Sequence, residues 1–281
     1  DYGGGTTRAL NTTDTYSATG AGKITPRTVT VDLLKKTGID KTYDGNADVL
    51  AADRQFDTNF GYIAGATDDH KLVANDGASI TATAVYKKKS TGLEAGDKDV
   101  SRASDGTVID NGKNVEYTVT LTGTNAATNY VLSYTPPGGT ATTGSSVTMT
   151  GAGKITPKKL TLTSPGNVTR AYDGTSTVYK SQLPASYKNV TAGVESGDTV
   201  NLDFGTSDEV GKYYTDSTMK REAKNANADK NGSLMSGKNV YTVKYTFTPK
   251  LDNGNYEVDA TTPLAGQGTI KQASLDPTKF E

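Results

Sequence analysis

The stretch GAGKITPRTVTV at residues 20–31 returns as GAGKITPKKLTL at residues 151–162. Three further landmarks recur in the same order between and after these copies. They are Tyr-Asp-Gly at 43–45 and 172–174, Gly-Lys-Asn-Val at 112–115 and 237–240, and Asn-Tyr at 129–130 and 255–256. A weaker echo of the first stretch, GQGTI, stands at 266–270. Landmarks in a fixed order indicate internal repetition, so the chain is predicted to consist of successive similar units.

These landmarks divide the chain into predicted segments. The segments are the end strands of a preceding unit at 1–25, unit 1 at 26–156, unit 2 at 157–271 and a tail at 272–281. The first assignment follows from Asp1-Tyr2, which leads through a threonine-rich stretch to Gly20, as Asn129-Tyr130 leads to Gly151. GLEAGD at 92–97 and GVESGD at 193–198 lie at different distances from Tyr-Asp-Gly, so one unit is predicted to carry an insertion.

Within each unit the pattern is that of β-strands. Apolar and polar residues alternate with period two at 115–122 and again at 241–248, which predicts half-buried strands. Further strands are predicted at 80–86 and 200–204, with Gly, Asn, Asp and Pro at the turns between them. Val240 is out of phase with the strand that follows it, which predicts a bulge or a register shift before Tyr241.

Long amphipathic helices are not evident, although 48–56 and 180–188 could each hold a short one. We therefore expect an all-β protein of tandem β-sandwich-like domains, with β-grasp-like domains as the alternative.

The proline in the repeated stretch marks a change of apolar face. Ile155 is apolar at an odd position, whereas Leu160 and Leu162 are apolar at even ones, and Ile24 and Val29 show the same change. Proline cannot donate to a strand ladder, and it restricts the preceding residue to extended geometry. The sequence therefore predicts that one domain ends before the proline and the next begins after it. A joint of about two residues has little freedom compared with a Gly/Ser linker, which predicts a rod.

Composition excludes several classes of protein. The chain has no cysteine, so a disulfide, a cysteine-based zinc site or a thiol nucleophile is impossible. It has 30 Lys and Arg against 31 Asp and Glu, and so lacks the basic excess that would neutralise nucleic-acid phosphates. No stretch approaches the about 18–20 apolar residues of a membrane span. We predict neither a nucleic-acid partner nor membrane insertion.

No candidate site carries a catalytic pattern. Tyr-Asp-Gly is interpreted as a buried tyrosine followed by a tight turn with glycine at positive φ. His70 is the only histidine, and it is predicted to lie in an exposed loop. The motif at 227–232 resembles the start of a calcium loop, but Lys238 stands where the bidentate acid is needed. Lys87, Lys88 and Lys89 are interpreted as a solvated strand end or turn. We therefore predict no catalytic, cofactor-binding or metal-binding residues. A weak calcium site and a Lys–Asn or Lys–Asp isopeptide crosslink remain open as alternatives.

The Lys-x-Tyr-Asp-Gly entry, the late Asn-Tyr and the Ile-Thr-Pro-Lys-x-Leu-Thr-Leu exit resemble the YDG/MBG-type repeats of large bacterial surface exoproteins. Those exoproteins include filamentous-haemagglutinin-like adhesins exported by two-partner secretion. The units are longer than that repeat, with 48–73 and 219–231 as the predicted insertions. The resemblance implies a secreted or cell-surface location and a non-catalytic stalk or adhesive role. Its implied partner is a protein or glycan on a host or neighbouring cell.

Two other functions are open at this point. The strand predicted at 1–25 could complete a neighbouring subunit by strand addition, which would make the chain a self-associating filament subunit. A carbohydrate-active module would require paired acids around an aromatic-lined cleft. The chain has no tryptophan and no acid pair within a recognisable motif, so this function is the least favoured.

Overall fold

The computed structural model describes residues 19–33, 36–49, 72–73, 75–89, 96–247, 249–259 and 264–274. Strands make up 43% of it and helices 5%, so the predicted all-β class is confirmed.

The described strands are numbered in the order of the chain. They are β1 (Arg27–Thr30), β2 (Ile39–Thr42), β3 (Ala78–Lys88), β4 (Lys113–Gly123), β5 (Tyr130–Tyr134), β6 (Thr142–Gly144), β7 (Ser146–Thr156), β8 (Lys158–Leu160), β9 (Asn167–Ala171), β10 (Thr177–Tyr179), β11 (Asn189–Val190), β12 (Val200–Asp203), β13 (Glu209–Tyr214), β14 (Tyr241–Tyr245), β15 (Lys250–Leu251), β16 (Tyr256–Val258) and β17 (Ala265–Lys271). One α-helical turn, α1 (Ala126–Asn129), and two 3-10 helices, Lys180–Gln182 and Ala185–Lys188, complete the described structure.

The predicted short helix at 180–188 is thus replaced by the two 3-10 turns, and the one predicted at 48–56 lies mostly outside the described residues. Among the described helices, none is long and apolar enough to span a membrane.

The main sheet of unit 1 has the strand order β2-β7-β4-β3. β2 and β7 run parallel, and the other neighbours are antiparallel. β4 is the strand that the alternating pattern at 115–122 predicted. Its four apolar residues are buried as predicted: Val115, Tyr117, Val119 and Leu121. Period-two patterning therefore places one face of this sheet on the core.

The main sheet of unit 2 repeats this arrangement. Its order is β10-β13-β14-β17-β9, in which β9 and β17 are parallel and the other neighbours antiparallel. Outside the main sheets, β1 pairs in parallel with β5, and β8 pairs in parallel with β16. A third strand, β6, pairs with β5, and β11, β12 and β15 form a small antiparallel sheet. The strands before Tyr-Asp-Gly, those that begin at the tyrosine of Asn-Tyr and those that carry Gly-x-Gly are therefore paired in the same way in both units, whereas Gly-Lys-Asn-Val reaches into β4 in unit 1 and lies before β14 in unit 2.

The Gly-x-Gly of the repeated stretch lies where the parallel strands approach most closely. A Cβ atom on Gly153 would overlap the carbonyl group of Ile39, and one on Gly268 would overlap the carbonyl oxygen of Val168. The second glycine of the motif therefore permits the β2–β7 and β9–β17 pairs to form.

The apolar core does not divide at the proline. Ile155 and Leu160, on either side of Pro157, are both buried in the first cluster, together with Val200 and Tyr256 of unit 2. The second cluster consists of residues from the main sheet and loops of unit 2: Val168, Val178, Val210, Tyr213, Ala223, Val243, Tyr245 and Ile270. The prediction that Ile155 and Leu160 serve separate cores is therefore wrong, because the core of unit 1 continues into unit 2.

Two features of unit 2 differ from expectation. β14 begins at Tyr241 and leaves Val240 outside the strand with 38% of its surface exposed, so the phase change requires no bulge. The part of the predicted insertion at 219–231 that follows residue 226 has a counterpart in unit 1, so it is not specific to unit 2. The turn in which Asp229 donates its N–H to the Ser233 carbonyl is the same as the turn in which Ala103 donates to Thr107.

The match between GLEAGD and GVESGD is also wrong. Asp97 of the former forms an ion pair with the buried ammonium of Lys113, whereas Asp198 of the latter accepts a hydrogen bond from the Tyr256 hydroxyl. The counterpart of Asp198 in unit 1 is Asp76, which accepts from the Tyr130 hydroxyl. Residues 72–73 and 75–77 therefore correspond to the GVESGD loop, because they hold the equivalent tyrosine in the same way.

Candidate functional site

Each Tyr-Asp-Gly turn holds a buried cation from the strand before it. The Lys41 side chain is buried, and its Nζ donates to Asp44 Oδ1 at 2.6 Å and to the carbonyl oxygens of Asn46 and Asp48 at 2.8 and 2.9 Å. The same Nζ lies 5.4 Å from the centre of the Tyr86 ring. The aspartate of the motif therefore neutralises a charge that could not be buried alone.

The second turn repeats this arrangement with arginine. Arg170 is buried, forms an ion pair with Asp173 and donates to the Thr175 carbonyl, and its guanidinium lies 5.5 Å from the Tyr213 ring centre. Burial raises the pKa of Asp173, but hydrogen bonds from Arg170 and Thr175 outweigh it and lower the pKa to about 2. The predicted tight turns are confirmed, with φ of 82° at Gly45 and 79° at Gly174.

Lys41, Asp44 and Asn46 form the type of trio that an isopeptide crosslink would need, with Lys41 Nζ 3.2 Å from Asn46 Oδ1. In unit 2 the positions of Lys41 and Asn46 are taken by Arg170 and Thr175, whose side chains cannot form such an amide. The feature shared by both units is the buried ion pair, which we interpret as structural.

Replacing Lys41 by alanine is expected to cost about 2–4 kcal/mol of unfolding free energy, because Asp44 and two carbonyl oxygens lose their donor. Lys41→Arg should cost much less, since arginine occupies the same place in unit 2. Lys36→Ala, at an exposed lysine, should stay within about 0.5 kcal/mol of the unsubstituted chain. Urea unfolding of the three variants measures these differences. Equal losses for the alanine and arginine variants at residue 41 would show that the cation is not what stabilises the turn.

The two units meet at a junction where only Pro157 separates β7 from β8. At its centre the Asp198 carboxylate accepts hydrogen bonds from the hydroxyls of Tyr43 and Tyr256, at 2.6 and 2.7 Å. Lys98 Nζ lies 3.4 Å from the other carboxylate oxygen and donates to the Tyr43 hydroxyl at 2.6 Å. The two tyrosine rings meet edge to face, 5.3 Å apart. We call these four residues, Tyr43, Lys98, Asp198 and Tyr256, the junction cluster.

Each member of the junction cluster is held in the protonation state that its contacts require. Burial raises the pKa of Asp198, but hydrogen bonds from Tyr43, Tyr256 and Lys98 outweigh burial and lower it. Burial and the nearby carboxylate raise the pKa of Tyr256, and its hydrogen bond to Tyr43 raises that of Lys98. At neutral pH the cluster therefore contains a carboxylate, an ammonium group and two neutral hydroxyl donors.

Asn255 makes a second set of contacts across the junction. Its Oδ1 accepts from the Val100 N–H and its Nδ2 donates to Asp99 Oδ1, both at 2.8 Å. Within unit 2, its backbone carbonyl accepts from the Lys158 N–H at 3.0 Å, beside the parallel pair of β8 and β16. Nearby, Arg102 pairs with Glu257 at 3.1 Å. Asn255 is only 8% exposed, so a polar side chain is buried between the units with its hydrogen-bonding groups satisfied.

The junction therefore brings together the Tyr-Asp-Gly of one unit and the Asn-Tyr of the next. The sequence singled out both landmarks, but it did not place them in contact or identify Lys98 and Asp198. The prediction that the tyrosine of Tyr-Asp-Gly is buried holds for Tyr43, which is 1% exposed, and is wrong for Tyr172, which is 44% exposed.

The other residues that the sequence singled out lie apart from the junction. Asn227 is fully buried, and its carboxamide bonds the Ile270 N–H and the Asn239 carbonyl, so it does not face a calcium loop. No group of three or more His, Cys, Asp or Glu that could hold a metal ion occurs among the described residues. His70 lies outside them. β3 ends at Lys88, which confirms the lysine run as a strand end.

No family model, curated protein or solved structure matches this chain. The resemblance to YDG/MBG-type repeats therefore stays a prediction.

Proposed function

We propose that this chain is a non-catalytic stalk or adhesive module of a secreted or cell-surface bacterial protein. In this proposal, tandem β-sandwich-like or β-grasp-like units follow one another in a fixed line and project or form a binding surface. The junction is the observation that carries the proposal. Its contacts combine a shared apolar core, a partly buried carboxylate and a buried carboxamide.

These contacts make a bend between the units costly. Rotating unit 2 away would expose part of the shared core, would remove the acceptor of the Tyr43 hydroxyl and would separate Asn255 from Asp99 and Val100. A hydrogen bond to a charged group contributes about 1.5–3 kcal/mol, and several would break together. A spacer that must hold a binding surface away from a cell requires this resistance to bending. Affinity for a protein or glycan would then reside in exposed loops, where binding residues are commonly placed.

Light scattering combined with small-angle X-ray scattering tests the stalk at low protein concentration. A compact chain of this length would have a radius of gyration of about 19 Å. We expect a monomer with a clearly larger radius and a rod-like scattering profile. A monomer with the compact value would contradict the stalk, and large polymers at low concentration would favour the strand-addition filament.

A further inference from the structure

The chain presents both halves of its internal junction a second time, one at each end. We call the surface of unit 2 that corresponds to the Tyr43 side of the junction the tail surface. We call the surface of unit 1 that corresponds to the Asn255 side the head surface. Both can be compared position by position with the internal junction, because the two units share strand pairing and turns.

The tail surface is an open cavity lined by Tyr172, Asn225, Ala226, Lys230, Gln272 and Ser274. Tyr172 is the counterpart of Tyr43, since both follow the strand that pairs in parallel with the last strand of the unit. The Ala223 N–H donates to the Tyr213 carbonyl as the Asp97 N–H donates to the Tyr86 carbonyl, so residues 223 and 97 are equivalent. Two and three residues further along the chain, Asn225 and Ala226 are therefore the counterparts of Asp99 and Val100. The tail surface therefore repeats the two positions that bind Asn255 at the internal junction. They lie beside Tyr172, which is 44% exposed.

The head surface is a second open cavity, whose lining includes Thr25, Arg27, Asp76, Thr128, Asn129 and Tyr130. Asn129 and Tyr130 are the counterparts of Asn255 and Tyr256, because Tyr130 pairs with Arg27 as Tyr256 pairs with Lys158. The Tyr130 hydroxyl donates to the Asp76 carboxylate and accepts from the Val73 N–H at 2.9 Å. In the same way, the Tyr256 hydroxyl donates to the Asp198 carboxylate and accepts from the Glu195 N–H. Asn129 is exposed, whereas Asn255 is buried.

We propose that the head surface of one copy of this chain docks on the tail surface of a second copy, in the geometry of the internal junction. The Asn129 carboxamide of one copy then bonds the backbone of Ala226 and the side chain of Asn225 in the other. Tyr172 of that second copy reaches the carboxylate of Asp76.

Charge complementarity supports this occupant. Lys224 is the counterpart of Lys98 on the tail surface and is exposed, and Asp76 is the counterpart of Asp198 on the head surface. A lysine of one copy would thus face an aspartate of the other, as Lys98 faces Asp198 in the internal junction. At the edge of the internal junction Arg102 pairs with Glu257. The equivalent positions are Ala228 on the tail surface and Val131 on the head surface, so this ion pair is absent between copies and no like charges face each other there.

Docking of this kind is heterologous, because two different surfaces meet. A heterologous contact that does not close into a ring extends into a linear assembly. The same two surfaces would thus add copies end to end without exchange of strands, which separates this proposal from a filament formed by strand addition. The proposal rests on the junction geometry that also supports the stalk, but it concerns association between copies.

The test uses two full-length variants, Asn129→Ala on the head surface and Tyr172→Ala on the tail surface. Both side chains are exposed, so circular dichroism should show unchanged melting for each variant. Sedimentation velocity is measured up to about 1 mM, since small interfaces bind weakly. We expect the unsubstituted chain to form dimers and larger species as its concentration rises. Each variant alone should remain monomeric, and their mixture should form dimers but nothing larger, because one intact head meets one intact tail.

Two results would overturn the proposal. One is a monomeric unsubstituted chain across the whole concentration range, which would leave an elongated monomeric stalk unaffected. The other is association of either variant alone to the same extent as the unsubstituted chain, which would place the contact elsewhere on the molecule.

Discussion

Replacing Gly153 by alanine is expected to destabilise unit 1 by about 3 kcal/mol, the upper end of the usual cost of overpacking. The new Cβ atom would overlap the Ile39 carbonyl group, which belongs to the backbone of the paired strand and cannot rotate away. The β2–β7 pair would have to separate locally and would lose ladder hydrogen bonds.

Gly22 provides a matched control, because it occupies the same position in the first copy of the motif. A Cβ atom on Gly22 would meet nothing within 4 Å, so Gly22→Ala should leave the unfolding free energy within about 0.5 kcal/mol. Urea unfolding of both variants measures the difference. Similar stabilities for the two would contradict the assignment of Gly153 to a close strand approach.

Replacing Asp198 by alanine is expected to cost about 2–4 kcal/mol, because two tyrosine hydroxyls lose their common acceptor. Lys98 adds little to this cost, since its side chain is 41% exposed. Asp208→Ala, at an exposed carboxylate in the same unit, is the control and should change stability by less than about 0.5 kcal/mol. Thermal unfolding followed by circular dichroism gives both values. A loss at Asp198 no larger than that at Asp208 would mean that the junction cluster does not stabilise the fold.

The Asp198 contribution should also depend on pH in one direction. The pKa of this carboxyl is lowered in the folded chain, so its stabilisation is fully present above its ordinary pKa of about 4. That stabilisation is lost as pH falls through the lower folded pKa. The difference in melting temperature between the unsubstituted chain and Asp198→Asn should therefore shrink between about pH 6 and pH 3. A difference that stays constant over this range would contradict the charged state assigned to Asp198.

Much of the local structure could be predicted from the sequence. The period-two pattern placed β4 and its buried face, and the positive φ values of Gly45 and Gly174 follow from their turns. The proline in the second copy of the repeated stretch was located between two strands. These features depend on residues close together in the chain, for which side-chain alternation and backbone preference are sufficient evidence.

The junction could not be predicted in the same way. Tyr43 and Asp198 are distant in sequence, and nothing local to either one indicates that they meet. The Asp-containing loops GLEAGD and GVESGD look alike, yet one aspartate pairs with Lys113 and the other lies at the junction. Likewise, whether the tyrosine of Tyr-Asp-Gly is buried depends on the surface opposite it, which differs between Tyr43 and Tyr172. Long-range pairing decides these points.

The central claim is that the two units are held in one relative orientation. Pulsed electron–electron double resonance between spin labels on either side of the junction tests it. The chain has no cysteine, so nitroxide labels can be placed at Thr148→Cys in β7 and Lys244→Cys in β14, both exposed. We expect a single narrow distance distribution, which should broaden when Asp198→Ala is added to the labelled pair. A broad distribution in the chain with intact Asp198 would show that the units reorient freely, and it would contradict a rigid junction.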